Sequence, residues 1–231
     1  MPEPASTGLA FAETTIEALI EAAVSRIDDL GGRSRAELER AAQDQVSALV
    51  ERHAHLAVDP PTQLWLLRSS IVLAVYRVLE PLAGGADVIA ILREAMIEPF
   101  GKKMSGYLLE RFGITQAEPA AAFVRISENF KSRGEARFGK AFLYAEDVRD
   151  ADRSFTNIQR CFFNDFFRAN GAPEVTRIFC ALDHVWVDAL HDGPYGVRFE
   201  RPSTLAQGAD ACRFQFSRVP TPAGDDPPGT A

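Results

Sequence analysis

Cysteine is scarce in this chain, with 3 residues in 231 and no Cys-x-x-Cys spacing. An odd number of thiols without that spacing argues against a disulfide scaffold and fits a reducing compartment. The separations between the three cysteines also match no usual zinc-ligand pattern, so we expect neither a metal site nor a cofactor. The sequence therefore predicts a cytoplasmic protein with reduced thiols.

Clusters of basic residues and uninterrupted apolar runs are also missing. The formal net charge is −7, and no predicted helix has the concentrated basic face that nucleic-acid phosphates require. The most apolar stretch, residues 64–82, is interrupted by two arginines and a glutamate, which favours a buried helix over a membrane span. The N-terminus lacks the basic and apolar segments of a secretory signal. We therefore expect neither nucleic acid nor a membrane as a partner.

The first half of the sequence is dominated by helical patterns. Apolar side chains recur there every three or four positions, as is typical of helices that pack on one face. Ser34, followed by Glu37 in the next turn, predicts an N-terminal capping box. Glycine is a natural helix stop, which places one helix end at Gly113. The predicted helices are residues 14–30, 34–53, 62–82, 87–100 and a segment that ends at Gly113.

The pattern changes after residue 138, where short alternating segments predict two hairpins with helices between them. The predicted strands are residues 139–148, 153–161, 195–203 and 211–219, and the intervening helices are residues 162–170 and 173–190. This order predicts an α+β fold, in which N-terminal helices precede an antiparallel sheet of about four strands packed against helices. The predicted division is a helical extension that could be a dimerisation arm (residues 1–60), an α+β domain (61–219) and a flexible tail (220–231).

Two charged residues fall among apolar ones. Arg201 shares a strand face with two apolar side chains, and Asp183 lies on the apolar stripe of a helix. An unpaired buried charge is costly. Arg201 is therefore expected either to pair internally with an acid such as Asp183 or to anchor a substrate carboxylate. Asp183 is expected either to pair with Arg201 or to hold a cationic amidine or act as a general base.

The three cysteines have different surroundings. Cys161 lies where a predicted strand meets a predicted helix, and a helix N-terminus lowers the pKa of a thiol, so Cys161 is either a nucleophile or a packing residue. Cys180 and Cys212 fall on apolar faces and are interpreted as small core residues. His184 lies one turn after Cys180 at the edge of the stripe, where a surface or boundary position is expected. Glu174 follows a proline that restarts the helix and is a candidate pocket residue.

Three segments of the chain resemble a known bacterial family, the L-2-amino-thiazoline-4-carboxylic acid hydrolases. They are LAVYRVLEPLAGGADVIAILREA, the block that begins at Cys161 and contains NGAPEVTRIFCALD, and the ending FERPSTLAQGADACRFQF. The ending is the most specific, because Arg201, Thr204 and Cys212 all fall in place. One departure is Arg213, which stands where the family pattern usually has Asp. By strand alternation this side chain faces away from the core.

The resemblance implies a hydrolase acting on the C–N bonds of a small cyclic amidine or isothiourea carboxylate, by attack on its C=N carbon. Arg201 would hold the carboxylate and Asp183 the amidinium nitrogens, while Cys161 or a water attacks. The candidate substrate-binding residues are Phe166, Glu174, Phe179, Cys180, His184, Phe199, Thr204, Cys212 and Phe214. Two alternatives stay open: an enzyme of a secondary-metabolite pathway that acts on another small heterocycle, and a small-ligand-binding module without turnover.

Overall fold

The computed structural model describes residues 5–97, 106, 109–191 and 194–219. Within these residues the helices are α1 (Ala5–Val24), α2 (Arg35–Arg52), α3 (Pro60–Ala83), α4 (Gly85–Ile97), α5 (Ala122–Phe138), α6 (Phe162–Ala169), α7 (Thr176–Leu182) and α8 (His184–His191). The strands are β1 (Leu143–Arg149), β2 (Arg153–Arg160), β3 (Val197–Glu200) and β4 (Cys212–Arg218). The predicted α+β fold, with helices first and an antiparallel sheet after them, is confirmed.

The helical half is organised around α3, which contacts α1, α2, α4, α5 and α6. Its start is fixed by Asp59, whose side chain accepts a hydrogen bond from the Thr62 backbone N–H at 2.9 Å. The predicted capping box of α2 is confirmed, because Ser34 Oγ accepts from the Glu37 N–H at 3.3 Å and the Glu37 carboxylate accepts from the Ser34 N–H at 2.7 Å. Among the described helices, none has the length and hydrophobicity needed to cross a bilayer.

The sheet has the strand order β1-β2-β4-β3, and every neighbouring pair is antiparallel. Buried and half-buried residues alternate along β4, so Cys212, Phe214 and Phe216 face inward, as strand alternation predicts. Helix α5 lies across this inner face, where the Phe130 ring is 5.2 Å from Phe214 and 5.1 Å from Phe216. The inner face of the sheet is thus sealed by aromatic packing.

One helix and several element boundaries differ from the predictions. Helix α5 was not predicted, because only Ala122, Phe123, Ile126 and Phe130 of its 17 residues are buried and the others read as a polar loop. The helix predicted at residues 173–190 is a 3-10 turn followed by α7 and α8, with the break at Asp183. Strand β3 ends at Glu200, since the proline at position 202 cannot donate a ladder hydrogen bond. Residues 98–100 and the predicted tail at 220–231 lie outside the described residues.

Candidate active site

Arg201 lies just after β3 and points to the inner side of the sheet. Its Nη1 donates to Asp183 Oδ2 at 2.8 Å, and both terminal nitrogens donate to the Cys180 carbonyl oxygen at 3.3 and 3.2 Å. The guanidinium carbon is 5.5 Å from the centre of the Phe214 ring. The structure therefore contains the internal ion pair, which was one of the two roles predicted for Arg201.

A histidine completes the surroundings of this guanidinium. Arg201 Nη2 lies 3.0 Å from His184 Nε2. Because an arginine nitrogen can only donate, Nε2 must be the acceptor, and the ring proton is then on Nδ1, 3.6 Å from Asp188 Oδ1. The side chain of His184 is 51% exposed, in agreement with the predicted boundary position.

The two charges of the pair differ in accessibility. The side chain of Asp183 is 33% exposed, whereas that of Arg201 is 10% exposed and lies behind it. Burial raises the pKa of Asp183 to about 6, although the neighbouring Arg201 lowers it. At neutral pH the carboxyl is therefore mostly ionised but close to its protonation point, which suits a group that binds a cation or moves a proton.

All three thiols have raised pKa values. Burial raises the pKa of Cys161 well above its ordinary value, and the amides of the first turn of α6 lower it only in part. The helix terminus alone would lower the pKa of this thiol, but loss of solvent outweighs it, which agrees better with the packing role than with the nucleophile role expected for Cys161. Burial and the charge of Asp183 raise the pKa of Cys180 to about 12, and burial also raises that of Cys212. The thiols are protonated at neutral pH.

Tyr144 is a residue of this region that sequence reasoning missed. It lies opposite Ile158 in the β1–β2 pair, and Ile158 lies opposite Cys212, so all three side chains share one row of the inner face. Its side chain is buried, and burial together with the charge of Asp183 raises its pKa well above the ordinary value. The alternation of β1 was the signal that could have identified it.

The four candidate phenylalanines separate into two groups. Phe199 and Phe214 lie together at the ion pair, with ring centres 5.6 Å apart. Phe179 stacks on Phe163 at 4.3 Å, and Phe166 makes an edge contact with His53 at 5.1 Å. The structure therefore places Phe214 beside Arg201 with Phe199 packed against Phe214, and it places Phe166 and Phe179 among the core helices.

Glu174 and Thr204 have structural partners. Glu174 accepts a hydrogen bond at 2.6 Å from the hydroxyl of Tyr76 on α3. It lies at the start of the helical segment that ends at Asp183, and so at the other end from the ion pair. Thr204 donates a hydrogen bond to the Gln207 side chain at 3.0 Å. In the same loop, the backbone amide of Leu205 donates to the sulfur of Cys212 at 3.2 Å. Thr204 therefore shapes the loop over Cys212.

Arg213, which departs from the family pattern, lies on the outer side of β4. It donates to Ser203 Oγ at 2.7 Å and forms an ion pair with Asp210 at 2.9 Å. Both partners belong to the connection between β3 and β4. The contacts of Arg213 thus lie away from the inner face of the sheet.

Two surface clefts lie away from the ion pair, and no metal cluster lies at the pair among the described residues. Within the described residues, no group of three or more His, Cys, Asp or Glu side chains is arranged to hold a metal ion. One surface cleft lies between the end of α1 and α4, lined by residues such as Arg26 and Asp87, and another lies beside Asp59 and Lys140. Within the pair, the side chain of Asp183 is the more exposed member.

The α+β fold thus places the partly exposed side chain of Asp183 beside the buried guanidinium of Arg201. The sequence model of L-2-amino-thiazoline-4-carboxylic acid hydrolase matches residues 66–216, which is more than half of the chain. The chain belongs to this family. The matched segment includes Asp183, Arg201 and all three cysteines. Comparisons with curated proteins and with solved structures gave no match.

Proposed function

We propose that this protein is a hydrolase that opens a small cyclic amidine or isothiourea of the 2-amino-thiazoline-4-carboxylate type. The observation that carries the proposal is the partly exposed Asp183 carboxyl, held by Arg201 at 2.8 Å, in a chain of a family named for this hydrolysis. A carboxylate with one side fixed by a guanidinium can offer its accessible side to a cationic ligand.

The chemistry of the substrate fits this carboxylate. A protonated amidine is a flat cation, and its two nitrogens can donate to one carboxylate in the way a guanidinium does. Its positive charge makes the carbon between sulfur and nitrogen more electrophilic. Arg201 is 10% exposed and lies over Phe214, which limits water on this side and strengthens the charge interactions of the pair.

Water is the proposed attacking group. Because burial raises the pKa of Cys161, its sulfur is a protonated thiol at neutral pH and a poor nucleophile. In the proposed reaction the oxygen of water bonds to the ring carbon, a ring bond from that carbon to nitrogen or sulfur breaks, and the leaving atom takes up a proton. The result is a carbamoyl-cysteine type product, heavier than the substrate by one water.

The test is turnover of 2-amino-thiazoline-4-carboxylate by the purified protein, with and without a chelator, followed by mass spectrometry. The expected result is a product with the added mass of one water in both conditions. A thiol assay on the protein-free filtrate then identifies the broken bond, because C–S cleavage releases a free thiol and C–N cleavage leaves the sulfur carbamoylated. Absence of any product would contradict the proposal.

A second candidate is a small-ligand-binding module, which the protonated state of all three thiols favours because none of them is an activated nucleophile. Stoichiometric retention of the ligand without product would support this role. A different small heterocycle is the third possibility. A cytoplasmic location, a bacterial secondary-metabolite pathway and a homodimer formed through residues 1–60 stay predictions of the sequence.

A further inference from the structure

We propose that this site recognises its substrate through the amidinium group and not through a carboxylate, so that it also accepts cyclic amidines that have no carboxylate. The inference rests on the proposed ring-opening activity and names the substrate class of the same site. It reassigns Arg201 from an anchor of the substrate carboxylate to a positioning residue that acts through Asp183.

The first argument is the occupancy of the Arg201 guanidinium. Four contacts use its two terminal nitrogens: one to Asp183 Oδ2, two to the Cys180 carbonyl oxygen and one to His184 Nε2. Each terminal nitrogen carries two hydrogens, so these contacts match the four donors available there. The face of the guanidinium is turned to the Phe214 ring. The fork that would bind a carboxylate bidentately is therefore already filled by protein acceptors.

The second argument is the order of the two charges along the approach from solvent. The side chain of Asp183 is more than three times as exposed as that of Arg201, at 33% against 10%. A ligand that arrives from solvent therefore meets the carboxyl first. This group attracts an amidinium and repels a carboxylate.

The third argument concerns displacement. A substrate carboxylate would have to remove Asp183 from Arg201, which leaves an unpaired acid beside the incoming anion. Nearby arginines on the same strands have other partners on the outer side of the sheet: Arg198 pairs with Glu200 at 2.7 Å, and Arg213 pairs with Asp210. Arg137, which also acts electrostatically on Asp183, packs its guanidinium over aromatic rings of the core.

The experiment compares kcat/KM for 2-amino-2-thiazoline, which has no carboxylate, with kcat/KM for 2-amino-thiazoline-4-carboxylate. We expect the two values to agree within about tenfold in the wild type, since a site built around the carboxylate would reject the shorter analogue by on the order of 10⁴. The ratio of the two values should be unchanged in Arg201→Lys, which keeps the charge next to Asp183. A ratio above tenfold in the wild type that shrinks in Arg201→Lys would overturn the inference.

Failure of the inference can be separated from failure of the proposed function. If neither compound is hydrolysed, the proposed function fails, and recognition of the amidinium group is tested by dissociation constants measured by calorimetry. The inference then predicts that 2-amino-2-thiazoline binds and that 2-methyl-2-thiazoline, which lacks the amino group, binds at least about tenfold more weakly. Asp183→Asn should remove this difference. Equal binding of the two compounds to the wild type would overturn the inference.

Discussion

Burial raises the pKa of five side chains in one region of the molecule: Asp183, Tyr144, Cys161, Cys180 and Cys212. For Asp183 the shift moves the pKa toward neutrality, and for the thiols and the phenol it moves the pKa away from neutrality. Asp183 is therefore the member of this group that changes charge near pH 6. At the scale of residues, the same loss of solvent keeps the thiols and the phenol neutral at pH 7, whereas the carboxyl of Asp183 can still ionise.

The state of Cys161 leads to a prediction about its replacement. Because burial keeps this thiol protonated, Cys161→Ala should keep kcat/KM within about tenfold of the wild type, whereas loss of a covalent nucleophile typically reduces rates by several orders of magnitude. Steady-state kinetics of the ring opening measures this, with Cys212→Ala as the matched control for loss of a thiol from the same region. A variant that folds but forms no product would restore Cys161 as the nucleophile.

The raised pKa of Asp183 also predicts a dependence of stability on pH. A carboxyl whose folded pKa, about 6, is above its ordinary value of 3.8 binds protons more tightly in the folded state. Its contribution to stability is fully present below pH 3.8 and is lost as the pH rises through about 6. As the pH rises from about 3.5 to about 7.5, which brackets this change, the urea midpoint of the wild type should therefore fall relative to that of Asp183→Asn. A constant difference across this range would contradict the assigned pKa.

At the scale of elements, Asp59 ties the start of α3 to the connection between α5 and β1. One carboxylate oxygen caps α3 at Thr62, and the other accepts from the Lys140 backbone N–H at 2.7 Å. Gly139 leaves space for this contact, because a Cβ there would collide with the Asp59 carboxylate. Burial alone would raise the pKa of Asp59, but these hydrogen bonds lower it below the ordinary value. One side chain thus joins the helical half to the sheet.

We expect Asp59→Ala to lower the free energy of unfolding by about 1–3 kcal/mol, because it removes a helix cap and an inter-element hydrogen bond. Urea unfolding at pH 7 measures the change. Asp44→Ala, which removes an exposed acid from α2, is the matched control and should change the stability by less than about 0.5 kcal/mol. Equal midpoints for the two variants would show that the link between α3 and the sheet contributes little.

The elements that sequence patterns predicted are those with local signals. The capping box at Ser34 and the alternation of β4 can be recognised from neighbouring residues alone. Helix α5 has few buried side chains and is held by contacts with the sheet, so its short-range pattern was too weak. Alternation and periodicity placed Arg201 and Asp183 on inner faces. The contacts that fill the terminal nitrogens of Arg201 and the burial of Cys161 depend on segments distant in the sequence, so neighbouring residues could not predict them.

At the scale of the whole molecule, the N-terminal helices belong to the continuous core. Ile16, Ile20, Leu38 and Ala42, which lie on α1 and α2, are fully buried in the same cluster as the sheet aromatics. Both helices contact α3. A chain that lacked them would expose the apolar side of α3 to water.

Deletion of residues 1–58 should therefore yield a chain that aggregates or lacks a cooperative unfolding transition, although it keeps the entire segment 66–216 that matches the family. Size-exclusion chromatography and thermal unfolding followed by circular dichroism measure this. A control that lacks only residues 1–4 keeps α1 and α2 and should behave as the full chain does. A monomeric, cooperatively folded product of the longer deletion would support the alternative that residues 1–60 are a separable arm.

The most direct measurement of the central claim is the pH profile of kcat/KM for opening of 2-amino-thiazoline-4-carboxylate, in the wild type, in Asp183→Asn and in Asp188→Asn. Since the Asp183 carboxyl must be ionised to hold an amidinium, wild-type kcat/KM should rise as the pH increases through about 6. Asp183→Asn should lose at least about 100-fold. Asp188→Asn, which changes an exposed acid beside His184, should keep the wild-type profile. Full activity in Asp183→Asn, or a wild-type profile without a rise near pH 6, would contradict the assignment of this carboxyl as the binding group.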